Sequence, residues 1–192
     1  MNRANELAAR VAKIITDATN GKRRFTVAID GRCASGKTTL ARALERRVGC
    51  AVIHMDHFFL RPEQRTSERL ATAGGNVDRE RMLEEVLAPL SRGDSVTYRP
   101  FDCGSMTLGS PIAIPDAQIY IVEGSYSCHP ALRDCYDLKI FLTVSPEEQM
   151  RRIIIRNGER AAEVFLSRWI PLEEKYFSEL SVASACDHIF ET

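Results

Sequence analysis

The sequence predicts an α/β protein, with a mainly parallel sheet covered by helices on both faces. Three observations predict it. Short runs of β-forming apolar residues alternate with longer stretches of helical periodicity. Most of these runs are apolar throughout, the pattern of strands buried on both faces. A glycine-bearing loop separates the first strand from the helix after it. The 192 residues, 44% hydrophobic and 27% charged, suit one domain with a sizeable core and a small lid.

Residues 5–18 carry Leu7, Val11, Ile14 and Ile15 at helical spacing, and Asn20-Gly21 ends them. Phe25-Thr26-Val27-Ala28-Ile29 reads as a buried strand, and residues 39–48 as the helix after the loop. Ala51-Val52-Ile53 is a second strand, ending at His54-Met55-Asp56. Residues 61–75 are polar and aperiodic and predict an irregular excursion. Asp78 can cap a helix whose apolar face is Met82, Leu83, Val86, Leu87 and Leu90. Residues 96–98 predict a short strand. Residues 99–115, with three prolines and two glycines, predict a loop or a hairpin outside the sheet. Strands are expected at 118–122, 138–144 and 188–190. Ser145-Pro146-Glu147-Glu148 is a helix start, with Ser as cap and Pro first. A long helical stretch over about 158–180 is expected to break at Pro171.

Gly31-Arg32-Cys33-Ala34-Ser35-Gly36-Lys37-Thr38 matches G-x-x-x-x-G-K-[ST] at every fixed position. At average composition such a match has odds of about 1 in 30,000 per position. Glycines let the backbone wrap phosphate oxygens with its N–H groups inward, and the following helix adds its positive end. Lys37 reaches the β- and γ-phosphates, the Thr38 hydroxyl ligates Mg²⁺, and Thr39 continues the loop into the helix. The loop therefore predicts a nucleoside triphosphate as ligand and leaves ATP or GTP open. Cys33 is either a redox-sensitive thiol or a small residue that matters only for its backbone.

In doubly wound sheets ligands bind beyond the carboxyl ends of the strands, where Asp56 and Glu123 fall. Phosphoryl transfer needs an acid to orient and deprotonate the attacking hydroxyl, which suits Asp56, and oxygen ligands for Mg²⁺, which suits Glu123. Each could instead cap the following turn. Arg151, Arg152, Arg156 and Arg160 cluster after the 138–144 strand. If the helix continues through Asn157-Gly158, residues 152, 156 and 160 share a face; if it breaks there, the segment is a hinged lid over about 151–162. Arginines closing over a transferring phosphoryl group stabilise its charge, so Arg152 and Arg156 join Lys37 and Asp56 as candidate catalytic groups.

Lys plus Arg and Asp plus Glu number 26 each, so no basic field marks a nucleic-acid binder. No apolar run approaches the roughly 20 residues of a membrane span, and no secretory-type segment is visible. Cys33, Cys50, Cys103, Cys128, Cys135 and Cys186 form no CxxC or zinc spacing. The expectation is a cytoplasmic chain with free thiols, compatible with a homo-oligomer.

Ile29-Asp30-Gly31 through Thr39, the stretch from His54 to Phe59, Asn76-Val77-Asp78, the stretch from Tyr98 to Asp102, Ile121-Val122-Glu123-Gly124 and the arginines from Arg151 occur in series over most of the chain. In this order they resemble the uridine kinase–like branch of P-loop kinases, which includes phosphoribulokinase, type I pantothenate kinase and nicotinamide riboside kinase. The resemblance implies a P-loop three-layer sandwich with a five-stranded parallel sheet and a small helical lid, with ATP and Mg²⁺. It implies Asp56 as catalytic base and Asp78 as the acid that binds acceptor hydroxyls. It places Thr38, Asp56 and Glu123 around Mg²⁺, and Tyr98 and Phe101 against the acceptor's ring. It departs after Phe101: Asp102-Cys103-Gly104-Ser105-Met106 lacks the His and Arg that read a pyrimidine. Asp78 and Asp102 suggest a hydroxyl-rich acceptor. His54 and His57 flank Asp56, while Trp169 and Tyr176 read as core packing. The expected function is ATP-dependent phosphoryl transfer to a small-metabolite hydroxyl. A nucleotide-dependent regulatory module is an alternative, as is a nucleoside monophosphate kinase using Arg61, Arg65, Arg69 or Arg79.

Overall fold

The computed structural model describes residues 3–192, so Met1 and Asn2 of the expected 1–192 domain lie outside the described residues. Helix α1 (Arg3–Thr19) leads into strand β1 (Phe25–Gly31), helix α2 (Lys37–Val48) and strand β2 (Ala51–His54). The excursion that follows holds a 3₁₀ turn (Pro62–Gln64) and the short helix α3 (Ser67–Ala71), which the sequence does not announce. Thr66 caps α3 by accepting from the Arg69 N–H, a local bond that a polar, aperiodic stretch conceals.

The helical rod over residues 79–92 comprises α4 (Arg79–Met82), a π turn (Leu83–Leu87) and α5 (Ala88–Arg92). Asp78 starts it as expected, its Oδ1 accepting from the Arg81 N–H at 3.1 Å. Residues 97–113 leave the main sheet as two antiparallel pairs: β3 (Thr97–Tyr98) with β6 (Ile112–Ala113), and within it β4 (Phe101–Asp102) with β5 (Thr107–Leu108). Strands β7 (Ile119–Glu123) and β8 (Leu138–Thr143) follow, then α6 (Pro146–Asn157), capped by Ser145. Helix α7 (Glu159–Val164), a π turn (Phe165–Trp169), α8 (Ile170–Glu179) and strand β9 (His188–Glu191) complete the chain.

The expected break at Pro171 does not occur. The backbone stays helical, and the π turn before Pro171 widens the helix where the proline lacks an N–H and crowds the preceding turn. The same device precedes Pro89, so both π turns end two residues before a proline.

The sheet order is β2-β7-β1-β8-β9, all parallel. Successive side chains point to opposite faces. Val27, Ile29, Ile121, Ile140 and Leu142 meet Val11 and Ile15 of α1 and Leu40 and Leu44 of α2. Ala28, Ile53, Val122 and Phe141 meet Met82, Val86 and Leu90, with Tyr176 and Phe177 of α8. Each such buried side chain contributes about 1.5–3 kcal/mol. Register then sets the site: Glu123 ends β7 beside Ile29 of β1 and His54 of β2, and Gly31 pairs with Leu142.

Candidate active site

β1 passes into the phosphate-binding loop at Gly31, where φ is +133°. A Cβ there would lie 1.9 Å from the Leu142 carbonyl oxygen, so only glycine lets the loop leave the sheet this close to β8. Arg32 N–H then donates to that same oxygen at 3.1 Å. Gly36, with φ +91°, turns the chain into α2, which begins without a side-chain cap and so leaves its first amides for a ligand.

The loop's carbonyls are held from behind. Gln149 Nε2 donates to Cys33 O (3.0 Å), Arg152 to Ala34 O (3.2 Å) and the Thr192 hydroxyl to Ser35 O (2.9 Å). Asp30, fully buried before the loop, accepts from the N–H groups of Gly31, Tyr126 and Cys128 and from the Tyr176 hydroxyl. Burial outweighs these four donors and pushes its pKa up from 3.8 to about 6. Burial, with the nearby Glu173 carboxylate, pushes the Cys33 thiol up to about 12. A thiol held protonated is a poor nucleophile, which favours the backbone role for Cys33 over redox sensing.

Lys37 folds back within the loop, its Nζ donating to Gly31 O (2.6 Å), Arg32 O (2.8 Å) and Ser125 Oγ (3.3 Å). Thr38 donates to the Glu123 carboxylate, 3.1 and 3.2 Å from its two oxygens, and His54 Nδ1 lies 2.5 Å from Glu123 Oε1. That bond raises the His54 pKa above its ordinary value. Asp56 lies in the 3₁₀ turn Met55–Phe58 that follows β2. Its side chain opens to the cleft, yet the surrounding walls strip hydration and, with the Glu123 charge, raise its pKa above the ordinary carboxylate value.

Lys37, Thr38, Asp56, Glu123 and Ser125 line one cleft of about 980 Å³. It brings together the loop from Cys33 to Thr39, Asp56, Glu123, Arg152 and Arg156. Gly31 and Arg32 shape the loop from behind and do not line it, Arg32 being paired with Glu174 at 2.7 Å. Helix α6 ends at Gly158, so the arginines split between two helices. Of the four, Arg152 and Arg156 line the cleft, while Arg160 does not and Arg151 is exposed on Glu148. Arg152 is engaged by Glu148, Ala34 O and Thr192. Among the described residues, Arg156 has a hydrogen bond to Asn157 and a cation–π contact with Phe165 and no carboxylate partner, so its guanidinium is the freer of the two.

The residues expected on the acceptor side lie apart from the cleft lining. Asp78, Tyr98 and Phe101 are buried and do not line the cleft. Asp78 is used as a helix cap, and its second oxygen lies 3.7 Å from Arg61. Tyr98 packs on Phe58, with its hydroxyl 2.9 Å from His57 Nδ1, and Phe101 lies under the Arg65 guanidinium. Asp102 is exposed and accepts from Gly104 N–H and Ser105 Oγ, holding its own hairpin turn. Trp169, expected in the core, lines the cleft, whereas Tyr176 is fully buried as expected. Phe59, Arg65, Asn76, Met106, Tyr126 and Trp169 line the cleft together with Asp56.

Sequence reasoning missed Glu173, Ser125 and Gln149. Glu173 lies four residues after Trp169 and three before Tyr176, a shared helical face that could have been noticed. Nothing local shows that this face meets the phosphate loop.

No cluster of three or more His, Cys, Asp or Glu able to hold a metal by itself exists among the described residues. Thr38 Oγ1, Glu123 and Asp56 are hard oxygen donors that fit Mg²⁺ only when phosphate oxygens and water complete its shell, its usual manner of binding beside nucleotides.

No family model matches the chain. It is 30% identical over 180 residues, 81% of its length, to the bifunctional alpha-galactosidase/sucrose kinase AgaSK of Mediterraneibacter gnavus, of which it covers 19%. It is 25% identical over 151 residues, 73% of its length, to uridine-cytidine kinase B of Dictyostelium discoideum, of which it covers 61%. The chain thus spans about a fifth and three fifths of these relatives. Among solved structures it superposes on a candidate fructose transport system kinase from a Silicibacter species with a TM-score of 0.71. That alignment covers 95% of this chain and 98% of the other at 20% identity. The chain therefore has the fold of that kinase and resembles two further kinases in sequence, in line with the expected architecture.

Proposed function

We propose that the chain transfers the terminal phosphoryl group of ATP to a hydroxyl of a small, polyhydroxylated metabolite. One observation carries this: the phosphate loop, Thr38, Glu123 and Asp56 line the same cleft, whose volume of about 980 Å³ leaves room for nucleotide and acceptor together. The relatives named as sucrose kinase and uridine-cytidine kinase act, by those names, on hydroxyl-rich acceptors, and this supports the reading.

The chemistry follows from the positions. Lys37 exchanges its bonds to Gly31 O and Arg32 O for the β- and γ-phosphates. Thr38, Glu123 and Asp56 would hold Mg²⁺, which when bound neutralises charge developing on the phosphates. Asp56 accepts the proton of the attacking hydroxyl as the new O–P bond forms and the bond from the γ-phosphorus to the bridging oxygen breaks, leaving ADP. Arg156 at the end of α6 is the lid group that meets the transferring phosphoryl, with the break at Gly158 as the hinge. Trp169 and Phe59 offer ring faces, and Asn76 and Arg65 polar groups, to the acceptor.

Arg65 favours a second reading, a phosphorylated acceptor such as a nucleoside monophosphate. Of Arg61, Arg65, Arg69 and Arg79 it alone lines the cleft, and it has no carboxylate partner among the described residues. A coupled ADP-release screen over sugars, nucleosides and their monophosphates, with Lys37→Ala as blank, separates the readings. Stimulation by an uncharged polyol supports the first, and stimulation only by phosphorylated compounds supports the second. Stimulation only by a protein or nucleic acid would replace both with a regulatory module.

A further inference from the structure

The phosphate loop is already occupied by a carboxylate of its own chain. Glu173, on α8, is buried at 6% exposure yet lines the cleft. Its Oε2 accepts from the Cys33 backbone N–H at 2.8 Å, and its Oε1 accepts from Ser125 Oγ at 2.7 Å. Ser125 Oγ in turn accepts from Lys37 Nζ. An inward-facing loop N–H and the loop lysine's hydroxyl partner are thus engaged by a negative group, as a phosphate would engage them. The residues beside Glu173 fix the approach of α8: Glu174 pairs with Arg32, and the Tyr176 hydroxyl donates to Asp30.

We propose that Glu173 is a phosphate mimic that must be displaced by the terminal phosphate of an incoming triphosphate, so that binding of ATP, and not of ADP, is coupled to movement of α8 and the lid at a cost in ATP affinity. The side of the loop it occupies supports the terminal phosphate as its competitor. Its partner Ser125 Oγ also holds Lys37 Nζ, the group that reaches the β- and γ-phosphates. A γ-phosphate and a buried carboxylate repel, and only one can take the Cys33 N–H. Expelling Glu173 releases one of the three holds of α8 on the loop while the Tyr176–Asp30 bond stays as a pivot. The freed segment carries Trp169 and, through the π turn and α7, connects to the break at Gly158.

The inference rests on triphosphate binding at the loop, and the test separates the two. Trp169 is the chain's one tryptophan and lines the cleft four residues before Glu173, so its emission reports on α8. ATP added to the wild-type chain is expected to shift Trp169 emission, and ADP to shift it much less. Glu173→Gln keeps a weak acceptor for the Cys33 N–H but removes the charge. It is expected to bind the non-hydrolysed ATP analogue AMP-PNP about tenfold more tightly and ADP within about twofold of wild type. Glu174→Gln, which breaks the Arg32 pair only, is expected to keep the wild-type ratio of affinities. Equal AMP-PNP affinity in wild type and Glu173→Gln, or identical Trp169 shifts with ATP and ADP, would overturn the proposal while leaving nucleotide binding intact. Failure of wild type to bind ATP would instead remove the premise. Should Glu173→Gln not fold, the wild-type comparison of ATP with ADP decides alone.

Discussion

Alanine at Gly31 and alanine at Gly36 are expected to break different things, although both glycines are fixed positions of one motif. At Gly31 the new methyl meets the Leu142 carbonyl oxygen at 1.9 Å and the Leu142 nitrogen at 2.7 Å, backbone atoms that cannot rotate away. Relief requires β1 and β8 to part by roughly 1 Å, weakening the bond from Arg32 N–H to Leu142 O, worth about 1 kcal/mol. The positive φ of +133° adds about 1–3 kcal/mol for any other residue, and disturbed packing adds about 1 kcal/mol more. The sum, roughly 3–5 kcal/mol, is a large part of the stability of a typical domain, about 5–15 kcal/mol. At Gly36 no atom lies within 4 Å of the added Cβ, so only the strain at φ +91° remains, about 1–2 kcal/mol. That methyl, however, sits at the start of α2, where phosphate must approach the backbone closely. Urea unfolding with a constant m-value and calorimetric ATP titration read the two effects. Gly31→Ala should lose several kcal/mol of stability; Gly36→Ala should stay within about 2 kcal/mol of wild type and lose at least about tenfold in ATP affinity. Equal stability of the two variants, or wild-type ATP binding by Gly36→Ala, would refute the reasoning.

Asp56→Asn should lower turnover by about 10²–10⁴ while the ATP dissociation constant stays within about threefold, as single-turnover kinetics and titration would show; full activity would remove Asp56 as base. The pH dependence of Asp30 has a definite sign. Its pKa rises from 3.8 to about 6 on folding, so the folded chain binds its proton more tightly and that contribution, complete below about pH 4, is lost as pH rises through 6. The shift of about 2 units corresponds to about 3 kcal/mol. The stability of wild type relative to Asp30→Asn, from urea unfolding, should therefore be about that much greater at pH 4 than at pH 7, and a pH-independent difference would contradict it.

What could be read from the residues alone was local. The phosphate loop, the Asp78 and Ser145 caps and the strand ends at Asp56 and Glu123 each depend on a few consecutive residues, and the structure places them as expected. Long-range partners were not legible. Glu173 touches Cys33 across 140 residues because α8 packs against the loop at the cleft, a fact of topology that no spacing encodes. Trp169 misled because an aromatic at helical spacing looks the same whether it faces a core or a cleft. The resemblance implies acceptor contacts for Asp78, Tyr98 and Phe101, and in this chain the Arg61, His57 and Arg65 side chains stand against them. Pro171 misled for another reason: a proline forbids one hydrogen bond, and a π turn supplies a helical way around it.

The most direct test of phosphoryl transfer follows the γ-phosphorus of ATP. With ATP labelled at that position, the wild-type chain and a stimulating metabolite should move the label into a small organic phosphate ester in equal amount to ADP formed. Asp56→Asn should leave the label on ATP. Label recovered only as inorganic phosphate, across a panel of hydroxylated metabolites, would contradict the account.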